Sequence, residues 1–318
     1  MIYPLILTPP CMDYLWGGEK LKKEYNIKTD KKPCAEAWML ADRNDYSCTV
    51  QNGEYAGRTL KEVLDIWSDE VIGENAAKFP YFPLLIKLID AKSQLSVQVH
   101  PNDEYAMKVE GEFGKTEMWY VVDCEPGAYL YYGFKNDLTK DEFKSYIEQN
   151  RLDEVCNKVA VHKGDCFFIP SGMLHSIGAG ILVAEVQQNS NTTYRVYDFG
   201  RVGADGKPRA LHIDKALDVT SLKATDSTIE NSEYEKVPGG KIRPLVKCDY
   251  FTSSIVDLDT KMNFRNDNSF ISLVCLDGVC DATYKGGSFR MVKGMSVFVP
   301  AKTDLTIYGM AKLLKSEI

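Results

Sequence analysis

Two segments of this chain carry the same punctuation. Gly164 to Pro170 reads GDCFFIP, and Gly294 to Pro300, far downstream, reads GMSVFVP. A glycine permits the left-handed backbone of a turn, the apolar residues after it suit a buried strand, and the proline ends that strand. Recurrence of such a unit points to two related β modules. The surrounding patterns agree. Leu95, Val97 and Val99 alternate with Ser96, Gln98 and His100, a period of two that puts the polar set on one face of a strand. Residues 82–100 hold two such strand-like runs, and 117–123, 128–132, 165–169 and 181–187 read as further strands. Helical patterns are grouped and do not alternate with strands. Over 59–72, Leu60, Val63, Leu64 and Trp67 follow Thr59 as a cap; over 138–157, Phe143, Tyr146 and Ile147 follow Thr139; residues 209–222 form a third candidate helix. Residues 223–243 are polar and contain Pro238-Gly239-Gly240, which reads as a linker. The expected fold is mainly β, a barrel or sandwich with helical additions, and not a doubly wound α/β sheet. Residues 1–237 are expected to form one domain with a helical insertion at 138–157, and residues 238–318 a second β domain.

Composition narrows the class of partner. The chain has 318 residues, 44% hydrophobic and 26% charged, with a net charge of -7. An acidic balance argues against a nucleic-acid grip, which needs a basic face to displace counterions. No run of 18 apolar residues occurs, so no membrane span is expected. The N-terminal stretch lacks the basic start and cleavage site of a signal peptide. Nine cysteines with no CxxC spacing suit reduced thiols, and the expected location is cytoplasmic. A small-molecule substrate and a monomer or weak homodimer are expected.

Only four histidines exist, at 100, 162, 175 and 212. Gln98 and His100 share one strand face about 7 Å apart along the strand and can converge on one ion. Glu117 opens a nearby strand and offers a carboxylate. His175 follows the turn Pro170-Ser171-Gly172, which could aim its ring inward. Two imidazoles, a carboxylate and an amide oxygen, without thiolate, suit Zn²⁺ in an open site completed by water or substrate. Taken singly, each has a plainer reading: a strand histidine as a hydrogen-bonded residue, Lys115 as a solvated loop lysine, Arg195 as the partner of Asp198. Glu185 is less easily dismissed. It lies in the apolar run ILVAEV, and a buried carboxylate needs a partner.

Gly164-x5-Pro170-x-Gly172-x2-His175 matches the second metal motif of the cupin barrels at every fixed position, whereas the first motif is only approximated by Gln98, His100 and Glu117. In the downstream copy Leu305 stands where His175 would align. More broadly, QVHP at 98–101, GKTEMWYV at 114–121, PSGMLHSIGAG at 170–180 and EVQQNSNTTYRVYDFGR at 185–201 resemble type I mannose-6-phosphate isomerases in their short bacterial form. The resemblance implies a cupin barrel with a helical insertion and a second, cupin-like domain without a metal site. It implies one Zn²⁺ per chain, held by Gln98, His100, Glu117 and His175, and interconversion of mannose 6-phosphate and fructose 6-phosphate. It also places Lys115 and Arg195 in the active site. Where longer members carry Asn-His-Lys-Pro-Glu, this chain has Phe113-Gly114-Lys115-Thr116-Glu117, so no imidazole stands beside Lys115.

Aldose–ketose isomerisation through an enediol needs a group that stabilises negative charge on oxygen, a base near C1 and C2, and a hold on the remote phosphate. Arg195 offers a forked donor for the enediolate, and Lys115 can polarise an oxygen. Glu185 or a water on the metal is the candidate base. Ser96, Lys87 and Arg195 are candidates for the phosphate. The same residues leave two alternatives open: a metal cupin oxygenase, and a non-catalytic sugar-phosphate-binding cupin.

Overall fold

Helix starts follow from capping. Thr139 Oγ accepts the Glu142 backbone N–H at 3.2 Å, and the Glu142 carboxylate accepts the Thr139 N–H at 2.8 Å. This reciprocal pair satisfies donors that the first turn cannot bond internally. The helix Lys140–Glu148 that it starts buries Phe143 and Ile147, and the short helix Leu152–Val155 completes the insertion expected at 138–157. Thr59 and Glu62 repeat the device before the helix Leu60–Trp67. The third candidate is shorter than expected. Residues 209–222 yield only the helix Ile213–Val219, because His212 makes no side-chain cap and Thr220 turns extended. Among the described residues, two α-helices were not anticipated: the single turn Lys20–Lys23, and Asp103–Val109, capped by the Asn102 side chain.

The computed structural model describes residues 1–203, 206–229 and 231–318. Contacts group the chain into two units, one formed by residues 13–18 and 89–230 and the other by residues 1–12, 19–88 and 231–318. In the first, an antiparallel sheet runs in the order Tyr194–Tyr197, Val97–Val99, His175–Ile177, Tyr129–Phe134, Cys156–Ala160. A second antiparallel group sets Glu117–Cys124 between Cys166–Ile169 and Ile181–Gln188. Val97, Val99, Phe134, Leu174 and Tyr194 form the core onto which Phe143 and Ile147 pack.

In the second unit, the long strands Ile271–Tyr284 and Leu305–Glu317 pair from Ser272 opposite Ser316 to Tyr284 opposite Leu305. Ser296–Val299 joins their sheet, and Leu5–Thr8 pairs antiparallel with Ser296–Val299. Leu5 and Leu7 are thereby buried, and residues from the start of the chain share a unit with those after 230. Leu305, the position aligned with His175, lies in this unit's core with Val297, Val299 and Ile307. The polar stretch 223–243 is not a plain linker. Within it Glu235–Val237 and the start of Gly240–Lys247 form a hairpin around Gly239, where φ is +93°; Glu230 lies outside the described residues.

Both copies of the glycine–strand–proline unit behave as the sequence implies. Gly164 and Gly294 have φ of +98° and +87°, and the strands Cys166–Ile169 and Ser296–Val299 follow them. A Cβ at Gly294 would lie 1.8 Å from the Tyr25 carbonyl oxygen, so glycine is required there on space as well as on angle. Among the described residues, no helix is long and apolar enough to cross a membrane.

Candidate metal centre and active site

Register decides which side chains meet. His175 sits directly opposite Gln98, and Arg195 sits opposite Gln98 on its other side. Directly paired residues of an antiparallel ladder point to the same face. One face therefore carries Gln98, His175 and Arg195. On the neighbouring group of strands, Glu117 opposes Gln187 and Trp119 opposes Glu185. His100 follows the strand Val97–Val99 and faces the same place.

The result is a buried cluster of His100, Glu117 and His175 whose ligand atoms all lie within 4.8 Å of one another. The two Nε2 atoms are 3.1 Å apart. His175 Nε2 is 3.4 Å from Glu117 Oε1, and His100 Nε2 is 3.5 Å from Glu117 Oε2. Gln98 Nε2 stands 3.4 Å from His175 Nε2, while its Oε1 accepts from Ser96 Oγ at 3.3 Å. Turning that amide over presents its oxygen to His175 instead.

Hydrogen bonding fixes the tautomers. His100 Nδ1 lies 3.0 Å from the Thr192 carbonyl oxygen, and His175 Nδ1 lies 2.8 Å from that of Met173. A carbonyl oxygen only accepts, so each Nδ1 carries the proton and each Nε2 presents a lone pair. Lys115 Nζ, 3.0 Å away, donates to the His100 lone pair; the His175 Nε2 lone pair and Glu117 Oε1, a buried oxygen that accepts no hydrogen bond, still face each other, an arrangement that a cation between them would relieve. Their separations also fit one. A tetrahedral ion with bonds of about 2.0–2.1 Å has ligand–ligand edges of roughly 3.3–3.4 Å. The donor set and its spacing therefore suit a metal ion.

Lys115, 4% exposed, donates to Glu117, lies 3.0 Å from His100 Nε2 and stands 3.9 Å from Glu185 Oε1. Burial pushes His100 down to about 3, and the Lys115 charge adds to that; burial likewise lowers His175. Both rings are neutral. Burial alone would raise the Glu117 carboxyl, but the Lys115 ammonium that donates to it outweighs that and holds the group well below the usual carboxylate range. Gly114 explains why no imidazole precedes Lys115: a Cβ there would lie 2.4 Å from the Asn102 carbonyl carbon.

Glu185 is 3% exposed and accepts the indole N–H of Trp119 at 2.8 Å. Arg195 does not pair with Asp198, which Arg201 and Arg209 engage instead. Arg195 donates from Nη1 to the Ala210 carbonyl at 3.1 Å, and its buried Nε has no hydrogen-bond partner. Burial, followed by the charge of Arg209, lowers its hold on its proton from the usual arginine value. Ser96 is buried beside Gln98. Lys87 belongs to the other unit, 3.5 Å from Glu36 and over the Trp38 ring. His162 is on the surface, and His212 accepts the Arg195 backbone N–H. Trp119 was not singled out from the sequence. Its signal was there, because it lies two residues from Glu117 and so on the same strand face.

Comparison with known proteins identifies the family. A family model described as phosphomannose isomerase type I, catalytic domain, matches residues 5–171, and one described as mannose-6-phosphate isomerase, cupin domain, matches residues 241–318. The mannose-6-phosphate isomerase ManA of Bacillus subtilis is 36% identical over 97% of this chain and 94% of its own length. The mannose-6-phosphate isomerase of Streptococcus mutans is 35% identical over 94% and 93%. A crystal structure of mannose 6-phosphate isomerase from Bacillus subtilis superposes with a TM-score of 0.91 at 34% identity, covering 99% of this chain and 100% of that one. The cupin fold expected from the sequence is borne out.

Proposed function

The chain belongs to the type I phosphomannose isomerase family, and on that premise we propose that it interconverts mannose 6-phosphate and fructose 6-phosphate through an enediol, with one Zn²⁺ held by Gln98, His100, Glu117 and His175. The observation that carries the metal is the buried convergence of two neutral imidazole Nε2 atoms and the Glu117 carboxylate, with Glu117 Oε1 accepting no hydrogen bond. Neutral imidazoles with oxygen donors favour Zn²⁺ over Mg²⁺ or Ca²⁺, which take oxygen ligands. When bound, the ion supplies Lewis-acid polarisation of the sugar oxygens. Family membership leaves the oxygenase and the binding-only module without support.

The remaining work falls to the chain's own groups. Glu185 Oε1 takes the proton from one sugar carbon and returns it to the neighbouring one. Its other oxygen is already engaged by Trp119, which leaves one face of the carboxylate toward Lys115. Lys115 Nζ donates to the oxygen on which negative charge grows. Arg195, on the face shared with Gln98 and with an uncommitted Nε, offers a forked donor to the enediolate or to the phosphate. Ser96 is the other phosphate candidate in this unit; Lys87 lies in the other unit, held against Glu36. Binding the remote phosphate holds C1 and C2 over the base.

Isomerisation in D₂O tests the enediol. Deuterium is expected at the transferred position of the product, in an amount that rises as the substrate is recycled. Complete retention of the substrate hydrogen through repeated turnover would contradict it and indicate hydride transfer.

A further inference from the structure

Trp119 is fully buried, yet it touches both halves of the site. It stands directly across the ladder from Glu185, and its indole N–H donates to Glu185 Oε2 at 2.8 Å. Its ring meets the His175 ring edge to face, with centroids 5.2 Å apart and planes at 76°. The other Glu185 oxygen lies 3.9 Å from Lys115 Nζ. One rigid side chain thus joins a metal-ligating imidazole to the carboxylate beside the ammonium.

We propose that Trp119 is a positioning residue for the isomerisation: its N–H fixes the rotation of the Glu185 carboxylate, and its ring fixes His175. The inference rests on reading Glu185 as the proton-transfer group. The carboxylate needs such a fix because terminal torsions of Glu are broad and not held in sharp wells. One oxygen held by a neutral donor leaves the second with a defined direction. Misplacing a reacting group by 1 Å can cost about 100-fold in rate. Phenylalanine keeps an aromatic face for His175 but cannot donate.

Trp119→Phe is therefore expected to lower kcat by roughly 10- to 100-fold, with KM within about twofold of wild type. Metal content should stay at the wild-type level. The decisive measurement repeats the substitution in a Glu185→Ala background. There the carboxylate is gone, and Trp119→Phe should change kcat by less than about twofold. An equal loss in both backgrounds would show that Trp119 acts elsewhere and would overturn the proposal. So would unchanged kcat in a folded, metal-replete Trp119→Phe protein. If Trp119→Phe does not fold, the benzothienyl analogue of tryptophan at 119 replaces N–H by sulfur at nearly unchanged bulk. It should give the same loss of kcat, and full activity in that protein would overturn the role of the N–H. Failure of the underlying reading shows separately: Glu185→Ala would then keep full kcat.

Discussion

His175→Ala is expected to leave a folded protein that retains less than about a tenth of the wild-type metal and has lost on the order of 1,000-fold or more in turnover. His175 is fully buried, and its Nε2 is the atom nearest to those of His100, Gln98 and Glu117 together. On the proposed ligand set, removing it takes away one of the two nitrogen ligands and leaves His100, Glu117 and the weakly donating amide of Gln98, too poor a set to hold an ion tightly. The loss should not be one of folding. The backbone pairing of His175 with Gln98 and Tyr132 does not depend on the ring. Metal analysis by mass spectrometry, read beside far-ultraviolet circular dichroism, separates the two causes. A folded His175→Ala protein with full metal content would remove this residue from the centre.

Lys115→Met should have the opposite signature. Turnover is expected to fall about 100- to 1,000-fold, the range seen when a fixed donor to a developing oxyanion is lost, while metal stays bound. Lys115 contributes no lone pair to an ion, so its removal subtracts no ligand. Methionine fills much of the space of the lysine stem without the charge. With the ammonium gone, Glu117 loses a donor and is still more available to a cation. Metal content and single-turnover rate, measured on the same preparation, test this. Loss of metal together with activity would place Lys115 in the scaffold of the site and not in its chemistry.

Much of this centre was legible from the chain alone, for a physical reason. Strand periodicity is local, so Gln98 and His100 could be put on one face. The turn glycines and prolines around His175 are local too. The caps at Thr59 and Thr139 could be read because a capping box spans only four positions. The cap at Asn102 carried the same kind of signal, since Asp103 and Glu104 follow it, and the helix it starts could have been found. What could not be read was long-range pairing. Nothing in residues 1–12 says that Leu5 will lie opposite Phe298. Nor does the sequence say that Trp119 will lie opposite Glu185, because a one-residue slip of either strand would turn one of the two side chains to the other face. The pairing of Lys87 with Glu36 is likewise set by tertiary contact and not by spacing.

The account stands most directly on one measurement: conversion of mannose 6-phosphate to fructose 6-phosphate by chelator-treated protein, before and after addition of one equivalent of Zn²⁺. Activity should vanish on metal removal and return in proportion to Zn²⁺, saturating at one ion per chain. Full turnover by folded protein shown to be metal-free would contradict the assignment of His100, Glu117 and His175 as a metal centre.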